Sequence, residues 1–479
     1  MRGLEAGQYR PLQENDIKAI HELSVGLLQD PGVRVNNRDA LEEFHRAGAE
    51  VDRQEMIVRI PRSMLEDAVD SAPSRVVLCG RDEKNDLILE GRRTYMGTGG
   101  TVLNVLDLET GKRRPSTLQD VRDLARIVDA LENIHFFMLP VYPNDLEVRD
   151  VDINRFSAAL FNTTKHVMGG VYTVEGVRGV IKIAGEISGG PDRLRDRPIV
   201  SMVTCIMSPL LMDDTYAGLL MEVARQGIPV VCPAEPLAGA TGPCTLAGTV
   251  AVSNAESLAG VVLAQLVNRG TPTIMGTVAT TIDMRTGSYL SGNVEMGLIN
   301  AACAQMAQYY QIPIYATAGM SDSKLSDIQA GYEKMATAMI TALAGANFIH
   351  DAAGFLEFCT TASYEQMVID DEIIGICMRA VRGIDVNEDT LAGDVIRQVG
   401  AGGNFLDHVH TMKHCRTEFF QPRLGNRQNR KSWEKKGSPD AARRAREMAR
   451  DILAGHRAVS VADDIITSLK EEFPNLKLD

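Results

Sequence analysis

The stretch Ile312-Pro-Ile-Tyr-Ala-Thr-Ala-Gly-Met-Ser-Asp-Ser-Lys-Leu-Ser-Asp-Ile-Gln-Ala-Gly-Tyr-Glu333 reads as strand, loop and helix. Residues 312–318 are a short apolar run with β-branched and aromatic side chains, and Gly319 releases the backbone. Ser326, with Gln329 three residues on, is a capping-box pattern that opens a helix. Over 326–345 the apolar residues Ile328, Tyr332, Met335, Met339 and Leu343 recur at helical spacing. If the strand belongs to a parallel barrel, the loop 319–325 at its carboxyl end faces a pocket.

Outward from this unit the same texture repeats. Strand-like runs lie at 100–106, 134–141, 166–172, 199–206, 228–232, 273–279, 312–318 and 346–350. Helix-length patterns lie between them, near 118–131, 150–162, 174–187, 213–226, 245–268, 293–310 and 326–345, with an eighth at 364–381. Strands alternating with helices at this spacing predict βα units around a parallel sheet, and the count fits an α/β fold of the (β/α)8 TIM-barrel type. A doubly wound open sheet is the rival, but no G-x-G-x-x-G follows an early strand and no P-loop is present.

Either side of the barrel the pattern changes. Residues 1–90 read as an N-terminal α+β extension, with helices at 15–29, 37–47 and 62–71 and strands in 51–60 and 75–89. Residues 91–385 are the catalytic barrel and 386–479 a C-terminal helical extension. That last part holds a helix pattern at 388–399, a glycine-rich turn and the run His408-Val-His-Thr-Met-Lys-His414. From Arg423 to Arg450 ten Lys or Arg face three acids, a positive piece in a chain of net charge −13, read as a solvated face or a dock for an acidic partner.

The acidic balance argues against a chain-wide nucleic-acid or anionic-membrane surface. The longest uncharged stretch, 236–255, is broken by Gly242, Pro243 and Gly248, so no membrane span is expected and a cytoplasmic location is. Eight cysteines, scattered without a C-x-x-C pair, read as reduced core thiols.

Strand ends supply the candidates for chemistry. Glu235, Asp283, Asp351 and Glu357 can furnish a general acid and base, and Lys324 a Schiff base near the seventh strand. His408, His410 and His414 have a metal-ligand spacing, yet no second ligand pair accompanies them, and no metal is assigned. Aromatics are 5% of the chain, so Tyr95, Tyr142, Tyr172 and Phe355 near strand ends are candidates to pave a pocket for a methylated ammonium, which is best held by aromatic faces and carboxylates.

The motifs Asp283-Met-Arg-Thr-Gly287, Asn300-Ala-Ala-Cys-Ala-Gln-Met-Ala307, Gly319-Met-Ser-Asp-Ser-Lys324, Gln329-Ala-Gly-Tyr-Glu333 and Ala342-Leu-Ala-Gly-Ala-Asn347 resemble those of the trimethylamine:corrinoid methyltransferase superfamily. So do Ala238-Gly-Ala-Thr-Gly-Pro243 and Gly402-Gly-Asn-Phe-Leu-Asp-His-Val-His410. The likeness runs over about 90–455 and implies a TIM barrel working with a separate corrinoid protein, whose cobalamin-type Co(I) takes the methyl group. The archetypal trimethylamine enzyme carries pyrrolysine in the loop after the seventh strand, where this chain has Met320. The chain therefore resembles the pyrrolysine-free members, which include a glycine betaine methyltransferase. The resemblance implies a quaternary amine of betaine type as substrate, a cognate corrinoid protein as partner and a homo-oligomer. Met320 is expected to be catalytic. Tyr95, Tyr142, Tyr172, His350, Asp351, Phe355 and Glu357 are expected to bind substrate, with His350 meeting a carboxylate. Proline betaine, carnitine and γ-butyrobetaine are alternative substrates. A barrel hydrolase or lyase and a non-catalytic betaine-binding scaffold are alternatives of another class.

Overall fold

The computed structural model describes residues 3–478. Eight strands form the barrel: β1 Arg93–Thr98, β2 Phe137–Met138, β3 Val167–Gly170, β4 Val200–Val203, β5 Val230–Ala234, β6 Thr273–Thr277, β7 Ile314–Thr317 and β8 Phe348–Ala353. From β2 to β8 each pairs in parallel with the next, and β8 pairs in parallel with β1. The seam between β1 and β2 closes by other means. The His135 N–H donates to Met96 O at 2.8 Å, and Val102 bridges Val141 in parallel. Between them the Thr98 hydroxyl donates to Met138 O and accepts from Met138 N, both at 2.7 Å, so one side chain stands in for two rungs of a ladder.

A helix follows each strand: α1 Leu118–Ala130, α2 Val148–Asn162, α3 Val174–Ser188, α4 Asp214–Gln226, α5 Leu246–Val267, α6 Val294–Tyr310, α7 Ile328–Ala344 and α8 Tyr364–Arg382. The fold is the expected (β/α)8 barrel, with two local corrections. The first strand is Arg93–Thr98, not 100–106. It was hidden because glycine interrupts it at 97, where a Cβ would come within 2.5 Å of the Phe136 ring. Asn104–Leu106 instead joins Arg113–Pro115, Phe355–Leu356 and Thr361–Ser363 in a four-stranded sheet. The cap of α7 is Asp327, whose carboxylate accepts from Ala330 N, rather than Ser326.

Two apolar clusters divide the core. The larger lies between the sheet and its helices. The smaller fills the barrel, where Tyr95, Phe136, Met138, Met168, Tyr315 and Phe348 meet Val76, Leu78, Leu87 and Leu89 from the antiparallel pair Arg75–Leu78 and Leu87–Glu90. This pair plugs the amino end of the strands, and the Tyr95 hydroxyl accepts from Ile88 N at 3.1 Å to hold it there. Phe136 stacks on Phe348 at 3.5 Å between centroids, Phe348 on Tyr315 at 5.8 Å and Tyr315 on His350 at 3.8 Å. An aromatic column thus rises from the floor towards the open end.

Helix Glu14–Gln29 and helix Arg62–Ser71 both pack on α5, whose buried residues run all round its circumference. By length and composition α5 could cross a membrane; here 89% of its most apolar window is buried in the fold. At the other end of the chain, helix Ala441–Gly455 packs on α8 and α1. The expected helix at 388–399 is broken at Ala392, which has φ 50°, into Glu388–Leu391 and Gly393–Val399.

Candidate active site at the carboxyl ends of the strands

A cavity of about 470 Å³ opens among the loops at the carboxyl ends of the strands. Its walls come from nearly every βα unit: Thr101 after β1, Tyr172 after β3, Cys205 after β4, Tyr216 on α4, Glu235 after β5, Tyr289 after β6, Tyr315 in β7, and His350 and Asp351 in β8. A larger cleft of about 760 Å³, lined by Lys84, Asp129, Lys165 and His456, lies by the loops that precede β2 and β3. There the Lys165 ammonium is spent on backbone, donating to the carbonyls of Val128 and Leu131 at 2.6 and 2.5 Å. We therefore take the strand-end cavity as the site, where barrels gather their chemistry.

Asp351 is the fixed carboxylate of this cavity. Its backbone is left-handed at φ 62°. One oxygen accepts from Gly100 N at 3.0 Å, and the other from the Thr317 hydroxyl at 2.7 Å. The approach is close enough that a Cβ at residue 99 would sit 1.6 Å from its Oδ1, so glycine is required there. His350 Nδ1 lies 3.0 Å from Asp351 Oδ2 but at an angle that makes no hydrogen bond, and Nε2 has no partner among the described residues either.

Glu235 is the uncommitted carboxylate. Its side chain is open to the cavity, while protein encloses the cavity around it. Its one hydrogen bond is a long contact from the Cys205 thiol, 3.7 Å. Burial pushes its carboxyl above the ordinary range; the Cys205 contact and the His350 ring pull it down, and Asp351 pushes it up. Around it, burial also drives the thiols of Cys205 and Cys359 and the phenols of Tyr289 and Tyr315 well above their usual values, and Tyr216 to about 12. These groups stay protonated at neutral pH, so the cavity offers no thiolate nucleophile. What it offers is an uncommitted carboxyl, Glu235, beside the engaged carboxylate of Asp351, among neutral aromatic faces.

The loop after β8 contributes by strain. Glu357, Phe358 and Cys359 are consecutive left-handed residues, with φ of 53°, 57° and 59°. Such a turn costs about 1–2 kcal/mol per residue for L-amino acids. It is held by Glu357 N and Phe358 N donating to Ser323 O and Ser321 O, 2.8 and 3.3 Å, and by the Glu357 carboxylate bridging Arg113 at 3.1 Å and Thr361 at 2.9 Å. The result turns Phe358 and Cys359 into the cavity wall.

Of the residues expected at the site, Tyr172, His350 and Asp351 line the cavity. Met320 does not. It is fully buried in the larger apolar cluster, because Gly319, at φ 82°, turns the chain and is tied by Lys334 Nζ to its carbonyl and by its N–H to the Thr337 hydroxyl. Phe355 is likewise fully buried in that cluster, Tyr95 is at the barrel floor, and Glu357 is spent on Arg113. Tyr142 stands edge-on behind Tyr172, 5.7 Å between centroids. Lys324 is exposed, with its ammonium 4.1 Å from the Phe358 ring centre. Tyr216, Tyr289, Cys205 and Thr101 were not singled out by sequence reading, since each sits on a loop or helix turn without periodic signal. Among the histidines, His410 and His414 come together with Asp389, their ligand atoms all within 4.8 Å, while His408 caps its own helix through His410 N. Lys413 Nζ, 2.7 Å from Asp389, already supplies positive charge there.

Residues 3–475 match the family model described as trimethylamine methyltransferase (MTTB). The chain belongs to that family. Within the trimethylamine methyltransferase family it is 38% identical over 457 residues to "Trimethylamine methyltransferase MttB" of Desulfitobacterium hafniense strain DSM 10664 / DCB-2, covering 95% of this chain and 92% of the relative. It is 34% identical over 464 residues to "Glycine betaine methyltransferase" of Desulfitobacterium hafniense strain Y51, covering 97% and 96%. The family fold is also that of the monomethylamine methyltransferase of Methanosarcina barkeri, matched at TM-score 0.50 and 12% identity over 94% of this chain and 95% of that one. The chain is thus an enzyme, a methyltransferase of the trimethylamine methyltransferase family.

Proposed function

We propose that this enzyme moves an N-methyl group from a quaternary ammonium of betaine type, glycine betaine foremost, to the Co(I) of a corrinoid carried by a separate protein. The observation that carries the reading is Glu235, a single uncommitted carboxylate facing the cavity among the faces of Tyr172, Tyr216, Tyr289 and Tyr315. A quaternary ammonium donates no hydrogen bond and is held by negative charge and aromatic faces. Relatives bearing both trimethylamine and glycine betaine names are similar to the chain, so the site must decide between them. Position 320, expected to carry the electrophile in the trimethylamine enzymes, is here an apolar side chain buried outside the cavity, which favours a substrate without a nitrogen lone pair.

The chemistry asks little of the protein beyond placement. Cobalt supplies the electron pair for the new bond to carbon, the carbon–nitrogen pair leaves with nitrogen, and a neutral tertiary amine departs without needing a proton. The chain orients the ammonium so that one methyl points to the mouth of the cavity, within near-attack distance of the acceptor. Proline betaine, carnitine and γ-butyrobetaine follow the same course, and a 470 Å³ cavity has room for them. A hydrolase built on paired strand-end carboxylates is disfavoured, because Asp351 has both oxygens engaged and Glu357 is ion-paired outside the cavity. Anaerobic mixing with reduced cobalamin or a cognate corrinoid protein, following Co(I) loss across trimethylamine and these four betaines, tests the reading. Loss with a betaine and none with trimethylamine is expected; loss with trimethylamine alone would overturn it.

A further inference from the structure

Arg155 lies on α2 with 1% of its surface exposed, yet it forms no ion pair among the described residues. Its Nη1 donates to the Tyr172 hydroxyl at 3.1 Å, and its Nη2 to the Thr101 hydroxyl at 2.6 Å and, more weakly, to Leu139 O at 3.4 Å. Nε makes no hydrogen bond. Asp152, one turn back on the helix, is close enough that, against burial, which pushes its carboxyl up, the Arg155 charge pulls it down; it makes no ion pair with Arg155, and its hydrogen bonds go to Tyr172 N, Thr173 N and the Thr173 hydroxyl. A buried guanidinium without a paired anion is costly to hold in a fold.

The two residues whose hydroxyls Arg155 grips both line the cavity, although Arg155 itself does not. Each accepts a hydrogen bond from the guanidinium, which leaves its own O–H to donate. The Tyr172 hydroxyl donates to nothing among the described residues, and the sole acceptor near Thr101 Oγ1 is Leu139 O at 3.4 Å. The Tyr172 O–H, with no acceptor among the described residues, and the Thr101 O–H, held only by the long contact to Leu139 O, therefore stand on residues of the cavity wall with a positive charge directly behind them, an arrangement suited to an anion. Glu235 follows β5, which stands opposite β1 in the ring of strands and two strands on from β3; the loops after β1 and β3 carry Thr101 and Tyr172. The fixed carboxylate Asp351 also lies on the Thr101 side, its Oδ1 accepting from Gly100 N at 3.0 Å.

We infer that the cavity contains a carboxylate subsite made by the Thr101 and Tyr172 hydroxyls and charged by Arg155, so that it takes an N-methylated amino-acid zwitterion with its ammonium towards Glu235. The inference rests on the methyl-transfer reading above and deepens it. It moves the carboxylate contact from His350, which adjoins Asp351, to the Thr101 and Tyr172 hydroxyls. Arg155 is a positioning residue, acting through the two hydroxyls.

Calorimetric titration of the full chain with glycine betaine and with tetramethylammonium, the same headgroup without a carboxylate, separates the two ideas. Wild type is expected to prefer glycine betaine by about tenfold or more, equivalent to about 1.4 kcal/mol. The ratio falls towards one in a Thr101→Val, Tyr172→Phe double variant and in Arg155→Met, and recovers in part in Arg155→Lys. Should Arg155→Met not fold, the double variant carries the test, because it leaves the guanidinium in place. Tetramethylammonium binding as tightly as glycine betaine to wild type overturns the subsite and leaves the ammonium reading standing. Equal loss of both ligands in the variants also overturns it, assigning Arg155 a structural role. Binding of neither ligand to wild type overturns both.

Discussion

Lys334 and Asp370 form an ion pair at 2.9 Å in which neither side chain has any exposed surface. Lys334 also donates to Gly319 O at 2.6 Å, and Asp370 accepts from Gly354 N at 2.7 Å and from Gln366 Nε2 at 2.8 Å. The pair therefore clamps the loop after β7 to the loop after β8, which carries the left-handed turn of the cavity wall and is held to the first through Ser321 O and Ser323 O. Both Asp370 oxygens and two of the three Lys334 N–H groups are engaged, and such added hydrogen bonds are what a buried ion pair needs to be retained.

Removing one partner leaves the other charged and buried. Lys334→Met and Asp370→Asn are each expected to destabilise the fold by about 3–5 kcal/mol, as for other broken buried pairs. Chemical denaturation of the variants measures this directly. A loss below about 1 kcal/mol, the range of exposed pairs, would show that the clamp is not what holds the loops.

Much of the barrel was legible because helix-length segments alternate with short apolar strand runs, and some, such as α1 with its apolar stripe and capping box, are marked at their ends as well, so α1 and α6 stand within a residue or two of their expected bounds. The first strand was not, since Arg93–Thr98 carries a charge and a glycine, whereas 100–106 alternates convincingly yet belongs to the sheet at the mouth. The site was legible where it lies on strands or just past their ends: Tyr172, Glu235, His350 and Asp351 follow from that position. Tyr289 and Phe358 reach the cavity through loop conformations, the second through a left-handed turn that no residue preference signals. Arg155 was invisible for the opposite reason, as an arginine on a helix reads as a solvated face until packing buries it.

Glu235 is the residue on which recognition of a cation turns. Glu235→Gln keeps the shape and removes the charge, and is expected to raise the apparent substrate constant about tenfold or more while the fold's melting temperature changes little. The pH dependence has a definite sign. Burial holds the carboxyl above its ordinary range, so it takes up a proton at higher pH than an exposed glutamate, and the protonated form loses the attraction for an ammonium. In wild type kcat/KM should fall as pH drops through that raised value, and the variant should lack this limb. An identical acid limb in both would assign the titration elsewhere.

Met320 distinguishes a packing role from a contact with substrate. Its side chain is fully buried in the apolar cluster and outside the cavity. Met320→Leu, which conserves volume, should change stability by less than about 1.5 kcal/mol and leave the apparent substrate constant as it is. Met320→Glu buries an unpaired carboxyl and should lower the melting temperature or prevent folding. A folded Met320→Glu enzyme with wild-type stability and altered substrate preference would place the side chain in the cavity after all.

Glu256 gives the fold a pH dependence of its own. It sits within α5, accepts from the Ser208 hydroxyl at 2.6 Å and from Leu210 N at 2.7 Å, and so anchors the loop after β4 that carries Cys205. Burial pushes its carboxyl up to about 8, against an ordinary value of 4.5, with the two hydrogen bonds opposing. Between those two values the folded chain holds a proton that the unfolded chain has released, so stability from this group is complete below about 4.5 and is lost as pH rises towards about 8. Glu256→Gln, which mimics the protonated acid and can still meet Ser208 and Leu210, should flatten the melting temperature across that window and exceed wild type at its upper end. Parallel pH profiles for the two proteins would show that Glu256 is already ionised in the fold and that the loop after β4 is anchored by a charge.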